Sequence, residues 1–574
     1  MRIDWDVPIT MDDGVVLRAD VFRPDADGRY PVIMTHGPYA KGLSFQQAFA
    51  FAWSDLEARH PDAIAGSSNR YQNWETVDPE KWVPDGYIVI RVDARGSGRS
   101  PGYLDIFSPR ETRDYYLCIE WAGTQPWSTG KVGLLGISYY AVNQWQVAAL
   151  RPPHLAAICP WEGATDYYRE FTHHGGIPSD FLNQWYPPQV EAMQHGVGVR
   201  GAGNPVTGVP VAGPETLEPD VLGKNRADVV AEMLARPTLD DYYRNRSADL
   251  TRITVPTLSA TNWGHHLHTR GGFEGYHAIP SGQKWLEVHG QQHWVEFYTD
   301  YGLRLQKRFF GHFLKGENTG WADQPPVYLN LRRVDGTFAQ RAEREWPLAR
   351  TAWTTFHFDL DNGRLDTAPP GSAARVDFAA TGDGVTFWTD PLSVATEITG
   401  PASAHLTVAS STTDADLFLV LRVQDPNGRD VTFPGAMDPR GAIAFGWLRA
   451  SLRSTDPALS TPYRPWQTYT ESQPLTPGEP VDVDVEIWPT SVIIPAGYRL
   501  GVTVLGRDFT FAGEGPWPEA YGVRMRGNGI FVHTDERARP HAVFGGTTTL
   551  FAGGPQVSAL LLPIIPAAGA GHDQ

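Results

Sequence analysis

The stretch of sequence that decides the fold is residues 131–150, which read KVGLLGISYYAVNQWQVAAL. Residues 131–137 form a short apolar run that predicts a buried strand, and the residues after Ser138 predict a helix. Ser138 therefore lies on a sharp strand-to-helix turn, where its hydroxyl projects above the sheet and the N–H of Tyr139 can stabilise an oxyanion. The motif ends in Tyr140 where glycine is usual, so the strand–turn–helix context carries the prediction of a nucleophilic serine.

Apolar strands and helical stretches alternate on both sides of this turn. Short apolar runs predict further strands at residues 30–35, 87–93, 155–160, 255–260 and 284–288. Strands of this kind separated by helices indicate a mostly parallel sheet that is covered on both faces. The sequence therefore predicts an α/β-hydrolase catalytic domain.

The sequence pattern divides the chain into a split catalytic domain, an insertion and an all-β region. We predict that residues 1–166 and 251–346 together form the α/β-hydrolase domain. Residues 167–250 lack clear strands and predict an inserted helical cap. Residues 347–566 contain short alternating runs between turns, which indicate a β-sandwich, here a jelly-roll domain. The tail, 567–574, is predicted to be disordered.

The composition limits the kinds of partner that are expected. The formal net charge is -17 and no Lys/Arg cluster offsets it, so nucleic acid is not an expected partner. No apolar run approaches the roughly 20 residues that a membrane helix needs, and the first residues lack an apolar signal core, so we expect a cytoplasmic protein without a membrane partner. Cys118 and Cys159 lie in apolar settings and are expected to be buried free thiols. Assembly into a homodimer is a further possibility.

A nucleophilic serine needs a general base, and on this fold the base lies on the loop after the last strand. His293 follows the predicted strand 284–288, in the run HGQQHW at residues 289–294. His289 is nearer the strand end and is the rival candidate. The position of His293 on the loop favours it as the base.

Four motifs of the chain resemble those of one enzyme family. They are MDDGVVLRADV at residues 11–21, GPYAK at 37–41, DARGSGRS at 93–100, and the nucleophile turn with its helix at 133–146. In these motifs the chain resembles the cocaine esterase and X-prolyl dipeptidyl peptidase family of serine hydrolases, whose members have a catalytic α/β domain, a helical cap and a jelly roll. The resemblance implies that Tyr39 supplies a phenolic hydroxyl to the oxyanion hole, beside the N–H of Tyr139.

The chain departs from the family pattern at two places. Ala141 stands three residues after the nucleophile, where the family has glycine, and we expect the added methyl group to be tolerated. The family's acid is an aspartate shortly after the tryptophan that ends the seventh strand, but here residues 262–268 read NWGHHLH. His265 stands where the aspartate would be, and a histidine cannot hold the charged base as an anion does.

The loop after the sixth strand is the next place on this fold from which an acid can reach the base. Glu162 is the first carboxylate beyond that strand, and it keeps the order of nucleophile, acid and base along the chain. We predict a hydrogen bond of about 2.6 to 3.2 Å between its carboxylate and His293 Nδ1. Asp166 is the second candidate and Glu274 the third. Binding a substrate ammonium group is the competing role for Glu162.

The histidine cluster His265, His266 and His268 invites a zinc interpretation. No acidic residue or cysteine follows at a convincing ligand spacing, so we expect no metal and no cofactor. A hydrogen-bonded wall at the entrance of the active site is the preferred interpretation.

These residues predict a serine hydrolase that cleaves a small-molecule carboxylic ester or amide through an acyl-enzyme intermediate. Ser138 is expected to be the nucleophile, His293 the general base and Glu162 the acid. The cap is expected to shape the acyl pocket. The side chains predicted to line the pocket or its entrance are Trp161, Tyr167, Phe181, Trp185, Trp263 and His265.

Three alternatives stay open at this stage. The same site could serve an acyltransferase or a cyclising biosynthetic enzyme, in which an alcohol or amine replaces water. It could also serve an aminopeptidase that resembles X-prolyl dipeptidyl peptidase. The absent aspartate could instead indicate a catalytically impaired binding protein, which a fluorophosphonate probe would distinguish from an enzyme.

Overall fold

The computed structural model describes residues 1–513 and 518–567, so the predicted tail lies outside the described residues apart from Ala567. Within this part of the chain, the catalytic sheet has ten strands, numbered β1 to β10 in chain order. They are Arg2–Thr10, Val16–Arg23, Tyr30–Gly37, Ile88–Asp93, Ser128–Ile137, Leu155–Trp161, Thr257–Asn262, Lys284–His289, Val327–Arg332 and Phe338–Glu343.

The strand order across this sheet is β1-β2-β4-β3-β5-β6-β7-β8-β9-β10. The seven strands from β3 to β9 pair in parallel, while β1, β2 and β10 extend the two edges in antiparallel fashion. Every residue of β4 is buried, as an apolar strand covered on both faces requires. The predicted α/β core is therefore confirmed, and all carboxyl ends of the parallel strands meet at one edge.

Helices cover both faces of the sheet. The helix before β5 begins with Pro109, and the hydroxyl of Ser108 accepts the N–H of Glu111, which is a favourable N-cap. The α-helices that accompany the sheet are Phe45–Ala48, Ala50–Arg59, Pro61–Ile64, Pro79–Trp82, Pro109–Thr124, Tyr139–Ala149, Thr269–Ala278 and Asp300–Phe310. Cys118 and Cys159 are buried free thiols, as predicted.

The segment between β6 and β7 is mostly helical and irregular. Its α-helices are Phe181–Gln189, Pro219–Lys224, Val229–Ala235 and Asp241–Arg244. The sequence pattern did not predict the π-helical turn Tyr167–Thr172 or the small hairpin that joins His173–His174 to Ile177–Pro178. Both elements are too short to show a hydrophobic period, which explains why they were missed.

The remainder of the chain is rich in β-structure. Strand Ala559–Ile565 pairs with both Ala352–Asp359 and Thr396–Ser410, so the strands return upon themselves in a barrel-like sheet. The strands of this region are Ala352–Asp359, Arg364–Asp366, Ala374–Ala379, Val385–Trp388, Thr396–Ser410, Asp416–Gln424, Asp430–Val431, Ala444–Arg449, Val481–Ile494, Arg499–Leu505, Glu519–Ala520, Val523–Arg524, Thr547–Ala552 and Ala559–Ile565, with the short helix His541–Phe544.

The β-rich region contacts the catalytic sheet through buried hydrogen bonds. Arg332 at the end of β9 donates to the backbone oxygens of Ser491 and Ile443, and it is only 1% exposed. The guanidinium supplies several donors in a fixed fork, so one side chain satisfies carbonyls on two strands. Among the described residues, no helix is long and apolar enough to cross a membrane.

Candidate active site

The nucleophile turn lies at the carboxyl end of β5. Ser138 has a left-handed backbone with φ of 56°, and its N–H donates to the carbonyl oxygens of Trp161 and Glu162 at 3.1 Å each. Gly136 is required here, because a Cβ at this position would lie 2.5 Å from the Cβ of Tyr140. The turn therefore holds the serine hydroxyl above the sheet edge, as the sequence predicted.

The alanine that replaces the family's glycine is accommodated by its neighbour. Ala141 lies in the helix after the nucleophile, and its Cβ faces Gly163. A Cβ built on Gly163 would lie 2.9 Å from that of Ala141, which is closer than side chains pack. Because the facing residue is a glycine without a Cβ, the methyl group of Ala141 causes no overlap.

Glu162 follows β6 directly and points to the base. Its carboxylate Oε2 lies 2.8 Å from Nδ1 of His293, within the distance predicted from the sequence. The backbone of Glu162 is left-handed, with φ of 51°, and its N–H donates to Ala260 on β7 at 2.7 Å. Burial opposes the charged carboxylate, yet the two histidines His293 and His289 hold the pKa of Glu162 well below its usual range.

The two lower-ranked candidates for the acid have other partners. Asp166 caps the helical turn after it and forms an ion pair with Arg169 at 2.6 Å. Glu274 pairs with Arg464 of the β-rich region at 3.0 Å. Both carboxylates are satisfied away from the base, which leaves Glu162 as the carboxylate on Nδ1 of His293.

The remaining nitrogen of the base does not contact the nucleophile in this arrangement. Nε2 of His293 lies 2.9 Å from Oε1 of Glu75, whereas the hydroxyl of Ser138 lies 3.0 Å from Nε2 of His268. The sequence indicates no role for Glu75, and it places His268 in the entrance wall. Glu75 has a left-handed backbone with φ of 62°, and no sequence motif marked its loop as part of the site.

The two histidines near the nucleophile differ in charge. Burial lowers the pKa of His293, but Glu162 and Glu75 overcome this and raise it to about 9. Burial and the neighbouring His293 hold the pKa of His268 well below its usual range. Nδ1 of His268 is buried and, within the described residues, has no hydrogen-bond partner. His293 is therefore the ring that can be stabilised as an imidazolium.

The two residues predicted for the oxyanion hole lie together. Tyr39 packs edge-on against Tyr139, with 5.7 Å between ring centroids, and its hydroxyl accepts the indole N–H of Trp185 at 3.2 Å. Tyr139 is the first residue of its helix, where a backbone N–H has no intrahelical acceptor. The side chain of Tyr139 is anchored by Glu111, whose carboxylate lies 2.8 Å from its hydroxyl.

The neighbouring motif at residues 93–100 has a structural role. The carboxylate of Asp93 accepts the backbone N–H groups of Lys41 and Arg99, at 2.6 and 2.8 Å. Ser100 donates to the carbonyl of Asp93 at 2.7 Å, and Arg95 pairs with Asp114. These contacts fix the turn beside the oxyanion loop.

A pocket opens above Ser138, and its wall only partly matches the prediction. Phe181, Trp185 and His265 line it, as expected. The other three predicted residues are corrections, because none of them is part of this lining. Trp161 stacks on His289, Tyr167 on Phe171, and Trp263 packs against Phe273 and Trp346. The rings of Trp161, Tyr167 and Trp263 therefore turn inward to the core instead of into the pocket.

The β-rich region completes the site. Met437, Tyr521, Ile530 and Phe531 line the pocket opposite the nucleophile. The backbone N–H of His293 donates to the carbonyl of Ala436 at 2.8 Å, so the loop that carries the base is held by this region. The sequence pattern predicts no part of the site among the residues after 346.

One group of side chains has the proximity that a metal site needs. Nitrogen and oxygen atoms of Glu162, His265 and His293 lie within 4.8 Å of one another. Nδ1 of His265 accepts the backbone N–H groups of Leu267 and His268, so in the neutral ring Nε2 carries the proton. A metal ligand needs a lone pair at that nitrogen, so the donor set does not fit a metal ion.

Comparison with known proteins extends over both halves of the chain. Residues 13–295 match the model of X-Pro dipeptidyl-peptidase (S15 family), and residues 319–546 match that of the X-Pro dipeptidyl-peptidase C-terminal non-catalytic domain. The crystal structure of a CocE/NonD family hydrolase from Staphylococcus aureus is 31% identical, with a TM-score of 0.83, and the match covers 98% of this chain and 94% of that one.

More distant relatives show the same pattern. Cocaine esterase from Rhodococcus sp. is 25% identical over 88% of this chain and 90% of its own. An aminopeptidase from a Thaumarchaeota archaeon shares the fold, with 17% identity and a TM-score of 0.70. Since the matches span both halves and the nucleophile turn lies at the expected sheet edge, the chain belongs to the CocE/NonD family and is a serine hydrolase that cleaves carboxylic esters or amides.

Proposed function

We propose that Ser138 attacks the substrate carbonyl, that His293 takes its proton, and that Glu162 holds the imidazolium that forms. The observation that carries this assignment is the 2.8 Å contact between Glu162 and Nδ1 of His293, on loops that meet beside the nucleophile turn. The carboxylate fixes the tautomer of His293 and stabilises its charge. Tyr39 and the N–H of Tyr139 then stabilise the oxyanion.

His293 is preferred over His268 as the base, although His268 is the ring in contact with the nucleophile. A base must carry a proton during the reaction, and in a buried site its charge needs an anionic partner. His293 has Glu162 on its second nitrogen, whereas Nδ1 of His268 has no partner among the described residues. His268 orients the hydroxyl of Ser138. When substrate binds, Nε2 of His293 exchanges its contact with Glu75 for a contact with that hydroxyl.

This assignment predicts unequal effects of two matched variants. His293→Gln removes the base and should lower kcat/KM by a factor comparable with the loss of Ser138, on the order of a millionfold. His268→Gln keeps a hydrogen-bond donor beside Ser138 and should cost about a hundredfold or less. A larger loss for His268→Gln than for His293→Gln, measured with the same ester, would make His268 the base.

The lining of the pocket favours an ester with an apolar acyl group. Phe49, Trp74, Phe181 and Trp185 surround the nucleophile, and Phe531 closes the wall from the β-rich region. Burial of apolar and aromatic surface is the dominant attraction that such a wall offers a small molecule. The β-rich domain, which we interpret as a jelly roll, is part of the substrate site.

A second candidate is an aminopeptidase-like activity on substrates with a free amino group. Glu75 is the acidic side chain of the pocket wall, and its Oε2 is buried without a hydrogen-bond partner in the described part of the chain. A substrate ammonium group beside the scissile carbonyl could pair with this oxygen. Glu162, which carried this alternative in the sequence analysis, is already engaged by His293 and His289.

A substrate panel separates these possibilities. We expect nitrophenyl esters of apolar acids to be hydrolysed with a higher kcat/KM than aminoacyl-proline nitroanilides. The reverse order would favour the aminopeptidase. Product analysis with an added alcohol or amine tests the acyltransferase and cyclising alternatives, for which the transfer product would exceed the free acid. The small-molecule substrate, the cytoplasmic location and the homodimer stay predictions.

A further inference from the structure

Glu162 has a second partner besides the base. While its Oε2 contacts His293, its Oε1 lies 2.8 Å from Nε2 of His289. Nδ1 of His289 lies in turn 2.7 Å from Oε2 of Glu287. These four side chains, Glu287, His289, Glu162 and His293, form one continuous buried row, which we call the catalytic row.

The geometry of the row holds His289 as a cation. Each ring nitrogen faces a carboxylate oxygen, and an imidazole nitrogen donates to a carboxylate only when it carries a proton. The ring is 0% exposed and stacks on Trp161, with 5.1 Å between centroids. Burial lowers the pKa of His289, but Glu287 and Glu162 overcome it and raise this pKa to about 10.

The far end of the row is anchored in the sheet. Oε1 of Glu287 accepts the hydroxyl of Tyr301 and the side-chain N–H of Asn330, at 3.0 Å each. Glu287 lies on β8 and Asn330 on β9, so the row is tied to two neighbouring strands. His289 consequently sits at a fixed distance from Glu162 instead of on a movable loop.

The base is faced by charged and titratable groups from several elements. Glu162 and Glu75 are its two carboxylate partners. His265 and His268 also face it, and burial holds the pKa of each well below its usual range, so both are neutral. The anionic groups favour the charged form of His293, which is the form that cannot accept a proton from Ser138.

His289 is faced by a second set of groups. Besides Glu162 and Glu287, Glu296 lies on the loop beyond the base, and burial raises its pKa to about 7. His289 is therefore a second cationic ring beside the base, held between two carboxylates. Its charge offsets part of the negative potential that Glu162 imposes on His293, and its hydrogen bond occupies one of the two oxygens.

We propose that His289 is a positioning residue for the reaction, a permanent imidazolium that keeps Oε2 of Glu162 directed at His293 and limits how strongly Glu162 favours the charged base. This inference rests on the roles proposed for Ser138, His293 and Glu162. It assigns a function to the histidine that the sequence analysis had considered only as a rival base.

The pH dependence of kcat/KM tests the proposal, because it reports the ionisation of the base in the free enzyme. In His289→Gln the amide can still donate to Glu162, but the positive charge is gone. The pKa of His293 should rise. The acid limb of the profile, where kcat/KM increases as His293 loses its proton, should therefore move to higher pH. On that limb we expect about a tenfold or greater loss of kcat/KM, corresponding to one pH unit or more. At pH values above the limb, the loss should be small.

A double variant and a control keep the experiment decisive. Glu287→Gln combined with His289→Gln leaves no unpaired buried charge, and it should shift the limb in the same direction by a smaller amount. His154→Gln removes a histidine that pairs with Glu120 at 2.8 Å on the periphery, and it should not shift the limb. The labelling rate with a fluorophosphonate, followed over the same pH range, should show the same shifts without any substrate.

Several outcomes would overturn the proposal. A folded His289→Gln variant whose limb stays in place, or one that loses activity equally at all pH values, would reduce His289 to a structural residue. Nitrogen-15 NMR of the unmodified enzyme gives an independent test, since His289 should carry protons on both ring nitrogens at neutral pH. A neutral ring there would refute the inference. Persistent labelling of Ser138→Ala would instead refute the proposed function on which the inference rests.

Discussion

Two buried rows of histidines and carboxylates in this molecule have nearly the same geometry and opposite consequences. In the catalytic row, each histidine has a carboxylate on both ring nitrogens. In the second row, Asp508 contacts His533 at 2.8 Å, and His533 contacts His174 of the small hairpin after β6 at 2.8 Å. The second row thus has one carboxylate for two rings, and we call it the docking row because it joins the segment between β6 and β7 to the β-rich region.

The difference lies in charge and access. Burial and the neighbouring His533 hold the pKa of His174 well below its usual range, whereas the pKa of His293 is raised to about 9. The catalytic row ends at the pocket, and the docking row joins two parts of the fold away from the nucleophile. Hydrogen-bond distances alone therefore do not identify a reactive histidine, since His293 has carboxylate partners and His174 has a histidine partner at similar distances.

The substitution with the largest expected effect removes the nucleophile and leaves both rows intact. Ser138→Ala should lower ester hydrolysis on the order of a millionfold and abolish fluorophosphonate labelling, since catalytic residues act as one unit. The thermal unfolding temperature should change little, because the docking row and the core are untouched. Full labelling of this variant would show that another residue is the nucleophile.

Replacing a carboxylate by an amide in each row should give the next largest difference in kcat. Glu162→Gln should reduce kcat about ten-thousandfold, because the base loses the anion that stabilises its charge. Asp508→Asn is the matched control, and it should leave kcat within about threefold while lowering the unfolding free energy by about 1 to 3 kcal/mol. Equal losses of kcat in both variants would mean that Glu162 acts through the fold.

The oxyanion hole provides a test outside both rows. Tyr39→Phe should lower kcat by about a hundredfold with little change in KM, because this hydrogen bond strengthens as charge develops on the substrate oxygen. Tyr521→Phe removes the hydroxyl of another pocket tyrosine and should leave kcat nearly unchanged. An unaltered kcat for Tyr39→Phe would place its hydroxyl outside the hole.

Removing the carboxylate of Glu75, which contacts the base from outside the catalytic row, should move the pKa of His293 downward, the direction found for His174. His293 has a pKa raised to about 9 by two carboxylates, so kcat/KM should rise with pH as this ring loses its proton. Glu75→Gln removes one of them, so the pKa of His293 should fall and the acid limb should move to lower pH. We expect a several-fold gain in relative activity near neutral pH, the opposite of His289→Gln. A limb that moves upward would contradict the assignment of charges.

The smallest expected effect concerns the histidine at the family's acid position. His265 is neutral, and its Nε2 lies 3.9 Å from the carboxylate of Glu162, which is too long for a hydrogen bond. His265→Ala should therefore change kcat/KM by less than about tenfold, and the pH limb should stay in place. A loss approaching that of Glu162→Gln would identify His265 as a member of the catalytic row.

The sequence predicted the elements whose signal is local. The strand before Ser138 and the helix after it have clear apolar patterns, so the nucleophile turn could be located. The contact of Glu162 with the base could also be inferred, because the carboxyl ends of β6 and β8 lie at the same edge of a parallel sheet. In both cases strand topology converts positions along the chain into proximity.

The features that were missed depend on loop conformation and on side-chain direction. Glu75 reaches the base from a loop with a left-handed residue, which no apolar period or motif marks. Trp161 was predicted to line the pocket, but it ends a strand with its ring against His289. An aromatic residue has the same hydrophobic signal whichever way it points, so pattern alone could not separate core from pocket.

The hydrogen bond from the loop that carries His293 to Ala436 affects when the enzyme becomes active during its synthesis. The ribosome makes the nucleophile, acid and base before it makes the β-rich region, but the loop that carries His293 is held from residue 436, and the pocket wall extends to Phe531. The growing chain therefore contains every reactive group long before those groups are held in place. Hydrolytic activity should appear only after the β-rich region has been made and has docked onto the α/β part of the chain.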